Sequence, residues 1–154
     1  MKKNAILLIL LVLVGCEQFI TFDYYFPAEF DSVYCFIPER SNPYLKDTTI
    51  WFSVDDLYLL TLYTWDNEKK CGKISLGQGT IDSLYEKWES DTVSFFIFEQ
   101  KVIENHTWDE IVQKYLVLQR YDFSKEDIIK LRYQIPYPPT KDMATMHMFP
   151  PFKE

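Results

Sequence analysis

The pattern of hydrophobic and polar positions divides the chain into a strand-rich first half and a second half in which strands and helices alternate. In the first half, short runs of Tyr, Phe, Val, Ile and Thr alternate in part with polar residues and end at Pro, Asn or Asp. This pattern is typical of β-strands joined by turns. It predicts strands over residues 22–26, 32–37, 48–54 and 57–65, followed by a glycine-containing loop over residues 71–79.

After residue 79 the hydrophobic period becomes helical. Ile81, Leu84, Tyr85 and Trp88 recur three and four residues apart, which predicts a short amphipathic helix. Residues 93–98 then form a β-branched and aromatic run. Because the apolar positions do not simply alternate, this run predicts a central strand that is buried on both faces.

Two capping boxes predict the start of further helices. Thr107 is followed three residues later by Glu110, and Ser124 is followed by Asp127. In each pair the hydroxyl can accept a hydrogen bond from a free backbone N–H, and the acid can reach back to the first residue. Strands are predicted over residues 116–121 and 132–137.

Together these elements predict an α+β fold in a single domain. We expect a mixed, largely antiparallel sheet, covered on one face by two or three short helices of the C-terminal half. The alternative is a β-sandwich with helical additions. The charge balance, 16 Lys and Arg against 23 Asp and Glu, repels phosphate groups, so nucleic acid is not an expected partner.

The first residues have the pattern of a lipoprotein signal peptide. Lys2 and Lys3 precede an apolar run over residues 5–14, and Gly15 and Cys16 follow. A membrane-spanning helix needs about 20 apolar residues, so this run is too short to span a bilayer. We expect cleavage before Cys16 and attachment of diacylglycerol and an N-acyl chain to that cysteine, which together hold a protein firmly to a membrane. The alternatives are an ordinary secretory signal and an uncleaved anchor.

This interpretation divides the chain into a cleaved signal peptide (1–15), a lipidated N-terminus with a short tether (16–19), one domain (20–139) and a flexible tail (140–154). Cleavage removes 15 of 154 residues and two lysines, which leaves 139 residues and changes the formal charge from −7 to −9. That length suits one domain. An exported chain meets an oxidising compartment, so Cys35 and Cys71 could form a disulfide; the alternative is two buried thiols.

The C-terminal third carries a resemblance to a protein family. The segments 94–98, 107–109, 115–122 and 133–139 form an aromatic strand, a Trp-Asp helix, an Arg-Tyr-Asp turn and a Tyr-Pro end. The residues before the cleavage site, together with Cys16, form a lipobox. With this lipobox, the arrangement resembles small uncharacterised lipoproteins of Bacteroides-type bacteria. The resemblance implies a lipid-anchored protein of the cell envelope, at the outer membrane, and it implies no activity. It leaves open whether the domain faces the periplasm or the cell surface.

No catalytic residues can be assigned from the sequence. The two histidines are His106, expected in a surface loop, and His147, expected in the flexible tail. A nucleophile elbow, a phosphate loop and a His-Glu-x-x-His motif are all absent from the sequence. The sequence therefore favours a protein that is not an enzyme.

Two sets of residues could bind a ligand. Three methionines and one histidine near the C-terminus offer the soft ligands that Cu(I) prefers, although such residues are also ordinary in flexible ends. Tyr58, Tyr63 and Trp65 could form an aromatic binding surface, although strand aromatics more often fill a core. The candidate metal ligands are Met143, Met146, His147 and Met148.

We therefore expect a membrane-anchored, non-catalytic module that binds another envelope protein or a glycan and carries no cofactor besides its lipid. An envelope glycan hydrolase is the alternative from another class, and a copper-handling accessory protein is a third.

Overall fold

The fold is α+β, as the sequence predicts. A computed structural model describes residues 19–25, 33–38, 48–53, 62–66 and 71–153. Eight strands, four α-helices and one 3-10 helix lie in these ranges. In chain order they are β1 (Phe19–Tyr25), β2 (Val33–Phe36), β3 (Leu62–Asp66), β4 (Cys71–Gln78), α1 (Ile81–Trp88), β5 (Val93–Glu99), α2 (Gln100–Asn105), α3 (Trp108–Lys114), β6 (Gln119–Phe123), α4 (Lys125–Lys130), β7 (Gln134–Pro136), the 3-10 helix (Lys141–Met143) and β8 (His147–Phe149).

The strands form two four-stranded sheets instead of the single sheet expected. The first sheet has the order β3-β4-β1-β7 and the second has the order β2-β5-β6-β8. Every pairing is antiparallel except that of β1 with β7, which is parallel. The strands of the first half are shared between the sheets, because β1 pairs with β4 while β2 pairs with β5. The α+β class holds, and the pair of sheets around one core is a feature shared with the alternative, a sandwich with helical additions.

The main core lies between the two sheets. Phe22 on β1 and Phe95 on β5 meet edge to face with ring centroids 5.2 Å apart. Helices α1 and α4 close this core with Leu84 and Ile128, and both of these side chains are buried. Tyr121 on β6 donates a hydrogen bond of 2.8 Å to the carbonyl of Pro136 on β7, which links the second sheet to the first.

A second, smaller core covers the other face of the second sheet. Phe96 and Phe98 of β5 pack there against Phe52 and Ile111, while Phe95 and Ile97 face the main core. Strand β5 is therefore buried on both faces and lies between two other strands, which confirms its prediction as a central strand. Segment 48–53 lies over this face, and the indole of Trp108 on α3 donates to the carbonyl of Phe52 at 3.1 Å.

The capping boxes form as the sequence predicts. The Thr107 hydroxyl accepts from the Glu110 backbone N–H, and the Glu110 carboxylate accepts from Thr107 N at 3.0 Å. Ser124 and Asp127 make the same reciprocal pair at the start of α4. The predicted helix after residue 79 is α1, which begins with a capping box between Thr80 and Ser83.

Two segments differ from their prediction, and one helix has no prediction. Residues 48–53 form no strand, because Ile50 and Phe52 cover the second core and the segment does not pair with a strand. Residues 71–78 are strand β4 and not a loop, since β1 and β3 flank this segment and supply its ladder partners on both sides. Helix α2 has no side-chain cap at its first residue, so the sequence carried no start signal for it.

The C-terminal segment was expected to be a flexible tail, and this expectation is wrong for residues 141–149. Met143 and Met148 are buried in the main core, and β8 pairs with β6 as an edge of the second sheet. Burial of these side chains offsets the conformational entropy that the segment loses on ordering. The domain therefore extends past residue 139.

Candidate functional site

Several residues predicted from the sequence lie outside the described part of the chain. Cys16 and Tyr58 are outside the described ranges, and so are the side chains of Tyr63 and Trp65 on β3. The lipid attachment and the aromatic binding surface therefore stay predictions.

Cys35 is a free and buried thiol on β2. Cys35 therefore forms no disulfide with Cys71 in the structure. It is instead a buried thiol, the alternative given above, and packs as a small apolar side chain. Burial raises the pKa of the Cys35 thiol far above its usual range, so the thiolate is strongly disfavoured.

The four residues of the predicted copper site are not brought together. Met143, Met146 and Met148 all belong to the main core. His147 lies between two of them in sequence, and alternation along strand β8 turns its side chain to the opposite face of the sheet. There the imidazole contacts Asp122. The thioethers and the imidazole are therefore separated by the sheet itself.

Three strands of the second sheet bring four polar side chains together on one face. Arg120 and Asp122 lie two residues apart on β6 and therefore point the same way. Asp122 is opposite Ser94 on β5 and opposite His147 on β8. We call these four residues the Asp122 cluster. Sequence reasoning missed it and described the Arg-Tyr-Asp segment as a turn, whereas the segment lies inside strand β6.

The Asp122 carboxylate accepts four hydrogen bonds. Oδ1 accepts from Ser94 Oγ at 2.5 Å and from Arg120 Nε at 3.1 Å. Oδ2 lies 2.9 Å from Arg120 Nη2 and 2.9 Å from His147 Nδ1. A carboxylate has about four acceptor positions, so those of Asp122 are filled. The contact with Arg120 is the two-point geometry in which guanidinium and carboxylate bind most strongly.

Arg120 is fully buried, and its guanidinium lies over two aromatic rings that also contact each other. Its guanidinium carbon is 4.8 Å from the centre of the Trp51 ring and 5.6 Å from that of Phe96. A cation over an aromatic face is attracted by the quadrupole of the ring. Because Trp51 belongs to segment 48–53, the Asp122 cluster joins this segment to β5, β6 and β8.

The Asp122 carboxylate orients the His147 ring. A carboxylate only accepts hydrogen bonds, so His147 donates to it from Nδ1. The imidazole side chain is 55% exposed. The Ser94 hydroxyl has one hydrogen and donates it to Asp122, so it cannot donate to His147 at the same time. Ser94 and His147 therefore do not form a nucleophile–base pair in this arrangement.

A groove of about 530 Å³ opens beside the edge strand of the first sheet. It runs between the end of α4, strand β7 and the 3-10 helix, and we call it the β7 groove. The residues that line it are Lys130, Leu131, Arg132, Gln134, Pro136, Thr140 and Asp142.

The backbone at the groove is held in an uncommon conformation. Arg132 and Tyr133 both have left-handed backbone angles, with φ of 54° and 61°. This conformation costs about 1–2 kcal/mol for each non-glycine residue. Tyr133 N donates to Ile128 O at 3.1 Å, and Tyr133 O accepts from Asp23 N at 2.9 Å. These bonds to α4 and β1 hold the turn, which places Arg132 in the groove wall.

The polar side chains of the groove are largely unused within the protein. Lys130 Nζ donates to the backbone carbonyl of Asp142 at 2.9 Å, which joins two sides of the groove. Within the described ranges, the side chains of Arg132, Gln134 and Asp142 make no hydrogen bond or ion pair with other residues. All three residues are exposed. They are therefore available to a ligand.

Among residues 19–25, 33–38, 48–53, 62–66 and 71–153, no three His, Cys, Asp or Glu side chains are grouped as a metal ion would require. The helices found there are too short or too polar to cross a membrane.

Comparison with models of protein families, with curated proteins and with solved structures gives no match to this chain. The resemblance to lipoproteins of Bacteroides-type bacteria therefore stays a prediction.

Proposed function

We propose that this protein is a lipid-anchored lipoprotein of the cell envelope whose α+β domain is a non-catalytic binding module. Its ligand would be another envelope protein or a glycan, held in the β7 groove. The observation that carries the binding proposal is a groove in which the exposed side chains of Arg132, Gln134 and Asp142 are not used by the described part of the fold. The lipobox that ends at Cys16 supports the anchor.

The size and lining of the β7 groove suit a ligand that is partly enclosed. Small-molecule sites typically have volumes of about 300–1,000 Å³ and combine apolar walls with a few polar groups. Here Leu131 and Pro136 supply apolar surface beside the polar side chains. One or two sugar units, or a short stretch of a protein surface, would fill such a space.

The geometry of the Asp122 cluster favours a structural role and supports binding over catalysis. Its carboxylate is saturated by Arg120, Ser94 and His147.

The anchor is tested by growing cells with labelled palmitate. We expect the wild-type protein to take up the label and to sediment with membranes. Cys16→Ala should lose both properties, whereas Cys35→Ala should keep them because Cys35 is buried in the domain. A Cys16→Ala protein that still carries the label would contradict the proposal.

The binding role is tested by affinity capture from solubilised envelopes with the full-length protein. The variant Arg132→Ala/Gln134→Ala removes two unused side chains of the groove, and Glu86→Ala/Lys87→Ala on the exposed face of α1 is its matched control. We expect the groove variant to lose at least nine-tenths of the captured material and the control to keep it. Equal capture by both variants would show that the groove is not the binding site.

A further inference from the structure

We infer that the ligand of the β7 groove is an acidic glycan, in which a sugar unit carries a carboxylate beside its hydroxyl groups. This inference rests on the proposed binding function and specifies its ligand. It follows from the kinds of side chain that the groove brings together.

The groove has a local charge opposite to that of the protein. The whole chain carries a formal charge of −7, but the ionised groups lining the groove are Lys130, Arg132 and a single carboxylate, Asp142. On an acidic surface, such a local excess of positive charge attracts anions to one place.

Arg132 has the geometry that a carboxylate requires. Its planar guanidinium can donate two parallel hydrogen bonds to the two oxygens of a carboxylate. The guanidinium has no partner among the described residues, and its backbone is fixed by the bonds of Tyr133 to α4 and β1. Lys130 Nζ gives one hydrogen bond to Asp142 O and keeps two further N–H groups for a ligand.

The remaining polar groups match the hydroxyls of a sugar. Gln134 offers both donors and acceptors, Thr140 offers a hydroxyl, and the Asp142 carboxylate accepts hydrogen bonds. The Asp142 carboxylate lies beside the two cations of the groove and would repel a purely anionic ligand such as a polyphosphate. It suits a ligand that presents one anionic group and several hydroxyl donors.

A peptide strand fits this groove less well than a sugar. Addition of a strand to a sheet needs a continuous row of backbone donors and acceptors along the edge. Strand β7 has only three residues, and its last residue is Pro136, which has no N–H. The β7 edge is therefore poorly suited to pairing with an extended chain.

The experiment measures binding of the full-length protein, held in detergent micelles, to two trisaccharides by calorimetry. The first is an α-1,4-linked trisaccharide of galacturonic acid, and the second is the trisaccharide of galactose with the same linkage, which lacks the carboxylates. We expect the acidic sugar to bind at least tenfold more tightly. Its affinity should fall with added salt, because the contact to Arg132 and Lys130 is electrostatic.

Variants locate the site on the protein. Arg132→Gln and Lys130→Gln should each weaken binding of the acidic trisaccharide at least tenfold. Lys87→Gln removes the same charge from the exposed face of α1 and should leave the affinity unchanged. Circular dichroism of each variant checks that its fold is intact.

The outcomes separate this inference from the proposed function. Equal binding of both sugars, or binding that Arg132→Gln leaves unchanged, would overturn the acidic-glycan inference. If neither sugar binds but the groove variant still loses its partner in envelope capture, the inference fails while the binding function stands. If the groove variant also captures its partner normally, both fail.

Discussion

Asp122 on β6 binds the His147 imidazole on β8 through a hydrogen bond of 2.9 Å, and the same carboxylate neutralises the buried guanidinium of Arg120. One side chain thus fixes the last strand of the domain and compensates a cation in its interior. The stability of the second sheet should therefore depend strongly on this carboxylate.

The variant Asp122→Ala tests this dependence. Removal of the carboxylate leaves Arg120 as a buried cation without its partner, which should cost about 3–5 kcal/mol of the free energy of unfolding. Asp91→Ala changes an exposed acid and should stay within about 0.5 kcal/mol of wild type. Urea unfolding measures both values. If Asp122→Ala does not fold, Asp122→Asn, which keeps one oxygen acceptor, should fold with a smaller loss. Equal midpoints for Asp122→Ala and Asp91→Ala would contradict the role of the cluster.

The start of α4 offers a test of a capping contribution. Ser124→Ala removes the acceptor for the Asp127 N–H, and the expected loss is about 1 kcal/mol of unfolding free energy. Ser124→Gly is the matched comparison, because glycine is tolerated at this position and should cost only a few tenths of a kcal/mol. Thermal unfolding of the two variants measures the difference. A larger loss for Gly than for Ala would argue against capping as the cause.

The substitution Arg132→Gly should have opposite effects on stability and on binding. It relieves the cost of the left-handed backbone, but it removes the guanidinium that would bind the ligand. Glycine adopts a φ of 54° without the steric cost that other residues have, so Arg132→Gly should be more stable than Arg132→Ala by about 1 kcal/mol. Both variants lose the guanidinium and should bind ligand equally poorly. Chemical denaturation and the capture assay give the two quantities. If the two variants are equally stable, the left-handed backbone is not a source of strain.

Stability at alkaline pH should be limited by Tyr121. Burial, followed by the proximity of Cys35 and Tyr137, raises the pKa of the Tyr121 phenol above its ordinary value of about 10. The folded state thus favours the neutral phenol. This contribution is complete below pH of about 10 and is lost as the pH rises above it, by about 1.4 kcal/mol per pH unit.

Urea unfolding between pH 8 and pH 11.5, with tyrosine ionisation followed by absorbance, measures this loss. Tyr121→Phe should lower stability at pH 8 by about 1 kcal/mol, because the hydrogen bond to Pro136 O is removed. Its stability should then fall less steeply with pH than that of wild type. Parallel pH curves for the two proteins would assign the alkaline loss to other groups, such as Tyr85, whose pKa burial also raises.

The sequence predicts correctly those elements that depend only on residues close together in the chain. The caps at Thr107 and Ser124 and the apolar run of β5 depend on neighbouring residues, and each element lies where it was predicted. The division into two sheets depends on which distant strands pair. Hydrophobic period carries no information about pairing partners, and the glycines at positions 72, 77 and 79 predict a loop where the structure has β4.

The candidate site was hidden from the sequence for a related reason. Arg120 and Asp122 are visible as a charged pair two residues apart, but their burial follows from Trp51 and from β8, which lie far away in sequence. The sequence predicts a flexible tail at His147, because methionines are ordinary in flexible chain ends and Pro150 and Pro151 follow. The methionines at 143, 146 and 148 were the available sign that this segment packs on the core.

With the proposed lipid anchor, the parallel pairing of β7 with the end of β1 would set the distance between the β7 groove and the bilayer. Strand β1 begins at Phe19, so an acylated Cys16 would keep the start of the strand within about 10 Å of the lipid headgroups, at roughly 3.5 Å per residue. Strand β7 pairs with Asp23, Tyr24 and Tyr25 at the other end of β1. The groove residues Gln134 and Pro136 pair with Asp23 and Tyr25, four and six residues after Phe19, which at about 3.3 Å per residue separates them from the start of β1 by about 13–20 Å. An upright first sheet would thus act as a rigid spacer that lifts the groove clear of the membrane surface, where a large partner can reach it without competing with the lipid headgroups.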